Sequence, residues 1–228
     1  MSVSQLISII SDHIVLIILW LLYFCIHSLL ASLRFKQLIL HHYPRIMPWY
    51  RLIFNLLSIL LLVPPVVVMF MFPGDIVWQW SGNWRNLANV LALLAIAGFL
   101  WSLTIYDNAE FLGTRQLKES RVDITDNGSL KLSVLHRYVR HPWYTLALVL
   151  IWTRDMNTSF LISAILLSLY FIIGSRFEEG KLVAFYGDQY RLYRNHVAAL
   201  IPLPWRVLSK EKAVEIQNLG KNSGVFKK

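Results

Sequence analysis

Long apolar stretches alternate with short polar ones along this chain. Runs at about His13 to Leu33, Trp49 to Phe72 and Leu87 to Tyr106 are each long enough to cross a bilayer, and a fourth apolar region extends from Trp143 to Ser175. A crossing takes about 20 helical residues. Only the fourth region is interrupted, by Thr153-Arg154-Asp155-Met156-Asn157, which leaves one arm from Pro142 to Trp152 and another from Thr158 to Ser175. At 1.5 Å per residue the first arm reaches only about 17 Å. The pattern therefore predicts an all-α polytopic membrane bundle of about five transmembrane helices, the last two forming a helical hairpin with a short first arm. Pro64-Pro65 removes backbone donors inside the second run and predicts a kink there.

The basic residues follow the same alternation. Between successive spans they number 4 in Arg34 to Arg51, 1 in Pro73 to Asn86, 6 in Asp107 to His141, 1 in Thr153 to Asn157 and 10 from Arg176 onward. Twenty of 22 thus fall on one side, which the positive-inside rule makes the cytoplasm. The N-terminus is expected outside and the C-terminus inside. No Lys or Arg precedes the first span, and its length exceeds a signal peptide's apolar core, so it is expected to remain as an anchor. Residues 1–208 read as one integral-membrane domain. Residues 209–228, polar and rich in Lys and Asn, read as a disordered tail.

Composition narrows the function classes. Of 228 residues 56% are apolar and only 15% charged, with a net charge of +9. Soluble domains carry about 25% charged residues. A secreted disulfide scaffold, a disordered tail and a nucleic-acid-binding basic domain are all disfavoured. Cys25 can form no internal disulfide and reads as a buried small hydrophobe. Gly-rich phosphate cradles and a Ser-centred nucleophile elbow are absent, and the histidines lack the spacing of a zinc hydrolase. His27, in the first span beside Ser28, reads as a helix-packing residue.

Ionisable residues at membrane depth are costly, so their clustering is informative. One group is Asp107, Glu110, Arg115 and Gln116. A second is His136, Arg137, Arg140, His141 and Tyr144, and a third is Arg176, Glu178 and Glu179. Complementary charges at the cytoplasmic ends of three helices describe a cytoplasm-facing pocket, or alternatively a set of interfacial anchors and ion pairs. Beyond them, Arg176 to Tyr186 should continue as helix to a C-cap at Gly187, with Asp188 opening a short helix to about His196.

Arg140-His141-Pro142-Trp143-Tyr144, followed by Arg176-Phe177-Glu178-Glu179, Leu182, Tyr186-Gly187, Tyr190, Tyr193 and Pro202, resembles the C-terminal signature of the isoprenylcysteine carboxyl methyltransferase-like membrane enzymes. The string Asp107, Glu110, Phe111, Gly113, Arg115, Gln116, with His27-Ser28 to Phe35-Lys36, resembles more narrowly the bacterial methanethiol S-methyltransferase subgroup. The similarity covers about residues 20 to 204. It departs at Val134 and His136, where relatives usually have Gly and Tyr, and at Asn108, where the subgroup tends to have His.

The resemblance implies S-adenosylmethionine as cofactor and a small or lipophilic methyl acceptor, most simply a thiol. It implies cofactor-binding roles for Arg140, His141, Pro142, Tyr144, Glu178, Glu179 and Tyr186. A ribose diol would suit Glu178 or Glu179, a methionine carboxylate would suit Arg140, His141 or Tyr144, and Trp143, Phe177 and Tyr186 could wall an adenine. Pro142 suits a helix start, because its missing N–H would be unpaired there anyway. Catalysis would be positioning and water exclusion, with thiolate favoured beside Arg115, Arg176 or His136. Other readings are a carboxyl methyltransferase of the isoprenylcysteine type, a non-catalytic membrane factor in denitrification or metal handling, and an NADPH-dependent sterol-type reductase.

Overall fold

A computed structural model of the chain describes residues 13–105, 107–122 and 130–222. By sequence the polar stretch from Leu117 to Leu132 reads as an exposed cytoplasmic loop with a turn at Asp126-Asn127-Gly128-Ser129; that turn, the end of the third run at Tyr106 and the last six residues lie outside the described residues. Among the described residues the architecture is all-α, apart from one two-stranded sheet. Four helices among them are long and apolar enough to span a membrane, so the protein is an integral membrane protein. They are α1 (Ile14–Ala31), α3 (Met47–Met71), α4 (Gly82–Ile105) and α8 (Thr158–Tyr186). Between α1 and α3 lies α2 (Leu33–His42), where only a loop was expected. Ser32 caps it, its hydroxyl accepting from Phe35 N. Helix α3 runs without a break through Pro64-Pro65.

Two short helices, α5 (Asn108–Leu112) and α6 (Thr114–Lys118), follow α4. The expected short arm is α7 (Pro142–Trp152), with Pro142 in its first turn. It is joined to α8 through Thr153–Asn157, as the two charges in that stretch predict. Helix α8 is one continuous helix to Tyr186, then α9 (Asp188–His196) and α10 (Lys210–Asn222) complete the chain.

The chain divides into two compact units, and α4 and α8 contribute residues to both. The first draws on Met1–Ala88, Ser102–Thr125 and Arg154–Leu167. Its apolar centre is Leu16 and Trp20 of α1 with Met69 of α3, flanked by Leu62, Val66, Phe160 and Leu166. Burial of Trp20 favours a partner for its N–H. It donates to Ser163 Oγ at 2.8 Å, and Ser163 in turn donates to Ser159 O. His27 lies 5.1 Å from the Phe54 ring and 5.5 Å from Tyr23, as a helix-packing residue should. Cys25 corrects the expectation of burial: it is exposed on α1. In the same unit β1 (Ile76–Trp78) pairs antiparallel with β2 (Met156–Asn157). Asp155 of the hairpin turn accepts from Trp80 N and pairs with Arg85, so the charges that break the fourth apolar region tie down the loop before α4.

The second unit draws on Asn89–Trp101, Asp126–Thr153 and Ser168–Lys228. Gly98 of α4 lets α7 approach closely, since a Cβ there would lie 3.0 Å from Leu146. A separate apolar cluster gathers Leu130, Tyr190, Tyr193, Val197, Leu208, Ala213 and Ile216. Leu130, placed in an exposed loop by its polar surroundings, is buried in it. The disordered tail is corrected as far as Asn222. Ala213 and Ile216, three residues apart on α10, are buried, and Gln189 of α9 donates to Ile216 O at 2.8 Å. Averaged polarity hid a narrow apolar stripe that a helix can bury.

Candidate functional site

The charged residues of the second unit are assembled by a short strand-like contact. Val139 bridges Ala198 in parallel, Arg140 N donates to Ala198 O at 2.8 Å, and His141 N donates to Ala199 O at 3.1 Å. Arg137 and Leu208 exchange a reciprocal pair, N to O at 2.9 Å and Nε to O at 2.8 Å. The backbone from Arg137 to His141 is thereby fixed before α7 begins. Pro142 then starts the helix with no orphaned N–H.

At the centre lies Glu179, whose side chain is only 6% exposed. A buried carboxylate needs cations and donors. Its Oε1 accepts from Arg140 Nε at 2.8 Å and faces His141 Nε2 at 3.1 Å. The other face of the imidazole is held as well: Nδ1 lies 3.3 Å from Glu178 Oε2, which also accepts from Tyr144 Oη at 3.2 Å. Both ring nitrogens meet carboxylate oxygens, an arrangement that suits the imidazolium. Burial opposes that charge, but the hydrogen bonds from Glu178 and Glu179 outweigh it and hold the His141 pKa above its ordinary value of 6.5. With the imidazole protonated, the two cations Arg140 and His141 would balance the two carboxylates Glu178 and Glu179.

The two glutamates differ in availability. Arg140, 10% exposed, is committed through Nε to Glu179 and through Nη1 to the carbonyls of Arg194 and Val197. Glu178 is 47% exposed and holds its two neighbours through Oε2 alone. Its Oε1 has no hydrogen-bond or ion-pair partner among the described residues. An aromatic stack lies against this edge, with the rings of His141 and Tyr144 parallel at 5.4 Å and those of Tyr144 and Phe171 parallel at 5.0 Å. Phe171 was not anticipated from sequence, although its spacing of seven residues from Glu178 on α8 places both on one helix face.

The remaining expected residues are placed as follows. His136 lies in the turn Leu135–Arg137, its Nδ1 2.8 Å from Ser133 Oγ. Burial and the nearby positive His141 lower its pKa to about 4, so its ring is neutral at pH 7 and supplies no cation. Arg176 is exposed and has no ion-pair partner among the described residues. Tyr186 packs against the Tyr190–Tyr193 cluster, and Phe177 is exposed. Among the described residues no group of His, Cys, Asp or Glu could hold a metal ion.

Arg115 belongs to the first unit, where it pairs with Asp107 at 2.6 Å and with Glu110 at 3.9 Å. Asp107 also caps α5, accepting from Ala109 N and Glu110 N, while Gln116 Nε2 donates to Glu110 Oε1 at 2.7 Å. Helix α3 clamps this turn. Arg51 Nε and Asn55 Nδ2 each donate to Phe111 O at 3.1 Å, and Gly113 sits at φ +91° where a Cβ would lie 2.8 Å from Leu52 N. The i, i+4 spacing of Arg51 and Asn55 in an apolar run was the available signal for the clamp.

Comparison with known proteins adds the family. The methanethiol S-methyltransferase of Pseudomonas deceptionensis is 32% identical over 189 residues, covering 77% of this chain and 67% of that protein. The chain belongs to the methanethiol S-methyltransferase family. Its relatives include the methanethiol S-methyltransferase of Mycobacterium tuberculosis, 34% identical over 57% of this chain and 58% of that protein. Another is methanethiol S-methyltransferase 1 of Bradyrhizobium diazoefficiens, 30% identical over 57% of this chain and 49% of that protein. The chain thus spans between half and two thirds of these family members. No family model matches it, and no solved structure matches significantly.

Proposed function

We propose that this membrane methyltransferase transfers a methyl group from S-adenosylmethionine to a small apolar thiol, on the cytoplasmic side of a bacterial inner membrane. The observation that carries the reading is the pairing of a locked glutamate with an available one, in a chain whose relatives are named for methanethiol S-methylation. The residues present fit such a cofactor. Glu178, half-exposed and with one oxygen uncommitted, would take the ribose diol, because a carboxylate accepts two hydroxyl hydrogen bonds. Glu179 would not, since Arg140 and His141 already hold it; it orients the imidazolium. The Tyr144–Phe171 stack offers an aromatic edge to a cationic or purine group. When bound, the cofactor supplies an activated methyl on a sulfonium.

The protein's remaining task is to hold the acceptor as its thiolate and keep water away. Arg176 is the cation assigned to the thiolate. Arg115, already shared by Asp107 and Glu110, organises its own turn instead. The test is turnover of purified protein with the cofactor and a panel of acceptors. Methylation of methanethiol and similar small thiols is expected, at a rate rising with pH below the thiol's pKa of about 8.5. Turnover with a farnesylcysteine analogue, and none with small thiols, would replace this reading with carboxyl methylation.

A further inference from the structure

After α9 the chain reads Leu200-Ile201-Pro202-Leu203-Pro204-Trp205-Arg206. Leu200 is buried, and its carbonyl accepts a 2.6 Å hydrogen bond from Thr145 Oγ1 in the first turn of α7. With α7 read as an apolar arm that enters the membrane from that turn, Leu200 would lie at the membrane boundary. The side chains that follow turn outward. Ile201 is 71% exposed, and Trp205, at 78%, is the most exposed large apolar side chain among the described residues. Between them Pro202 and Pro204 lack N–H groups, so two donors that would otherwise need water are absent. Arg206 N closes the turn on Leu203 O at 2.9 Å. Cations stand around this tip: Arg206, tethered by Nη2 to Asn195 O at 2.9 Å, with Arg194 and Lys210 exposed on either side in sequence. Tryptophan favours the headgroup level, and juxtamembrane cations favour anionic lipids.

We propose that Leu200 to Arg206 is a membrane-interface anchor. Ile201 and Trp205 seat between the headgroups and acyl chains of the leaflet where α7 begins, and Arg194, Arg206 and Lys210 engage anionic phospholipid headgroups. The proposal rests on α7 being a membrane arm and not on the identity of the methyl acceptor. Its consequence reaches the charged cluster, because the strand that carries the anchor also holds Arg140 and His141 by their backbone amides. Seating the anchor sets the depth of the cluster below the bilayer surface.

The experiment is tryptophan quenching of the full chain in liposomes of phosphatidylglycerol brominated at shallow acyl positions. The difference between the wild type and Trp205→Phe isolates Trp205 among nine tryptophans. The Trp205 component is expected to lose most of its intensity to the brominated lipid and to resist aqueous iodide. In phosphatidylcholine, or in Arg206→Gln combined with Lys210→Gln, the loss should be smaller. A component that iodide quenches and brominated lipid does not, or one shielded from both by another chain, would overturn the anchor. Equal quenching in anionic and zwitterionic lipid would overturn the headgroup assignment. If Trp205→Phe fails to fold, a nitroxide at Ile201→Cys in a Cys25→Ser background reads the same depth: collision with oxygen should exceed collision with a water-soluble nickel complex, and the reverse would overturn the proposal.

Discussion

Adjacent glutamates on a helix diverge by about 100°, and that angle separates the work of Glu178 and Glu179. Glu179 shares a face with Ser175 four residues earlier, and both are buried, whereas Glu178 shares a face with Phe171 and stays half-exposed. The sequence made the pair conspicuous but left open which member faces inward, because that depends on the Arg140 backbone position set by Ala198. The two histidines diverge for a related reason. His141 gains carboxylate partners, while His136 is desolvated beside a positive ring. Histidine-selective NMR titration should find His141 titrating above 6.5 and His136 neutral down to about pH 4. The sign of each contribution follows. A raised pKa stabilises the fold below 6.5 and loses that effect as pH rises through the folded value; a lowered one loses stability as pH falls from 6.5 toward 4. His141→Asn should raise the His136 pKa, since the imidazolium is one of the causes of its depression. A His136 that titrates near 6.5 in the wild type would contradict the burial on which this rests.

The spans and the hairpin were legible as elements because apolar length, the helix-starting Pro142 and the Arg154-Asp155 interruption all point the same way. The end of the chain was not. Lys, Glu and Asn dominate α10, and only the phase of Ala213 and Ile216, matched to a cluster built by Tyr190 and Tyr193, gives it a buried face. The short helices α5 and α6 were hidden similarly, since their stability comes from the Asp107 cap and from the α3 clamp on Phe111 and Leu112. Ile216→Ala should therefore destabilise the protein by about 2–5 kcal/mol, the range for a fully buried aliphatic truncation. Val214→Ala, two residues away and exposed, should change little. Thermal unfolding in detergent compares them, and equal midpoints for both variants would return α10 to the status of a tail.

For the whole molecule, charge asymmetry is the strongest argument carried by sequence alone. Twenty basic residues against two predict the orientation, so a reporter fused after Lys228 should read cytoplasmic and one inserted at Gly82 external. A cytoplasmic signal at Gly82 would require a different number of crossings. Family membership was legible too, because the Arg-His-Pro and Glu-Glu strings form a recognisable signature; the neutrality of His136 and the engagement of Arg115 were not, because they depend on burial and on the local fold of the Asp107 turn. The central claim is that Glu178, held by His141 and Tyr144, grips the methyl donor. Calorimetric titration of the purified protein with S-adenosylmethionine tests it most directly, using Glu178→Gln as the comparison. Loss of a charge-assisted hydrogen bond costs about 1.5–3 kcal/mol, so affinity should fall on the order of tenfold to a hundredfold with the unfolding midpoint little changed. Unchanged affinity in Glu178→Gln would contradict it.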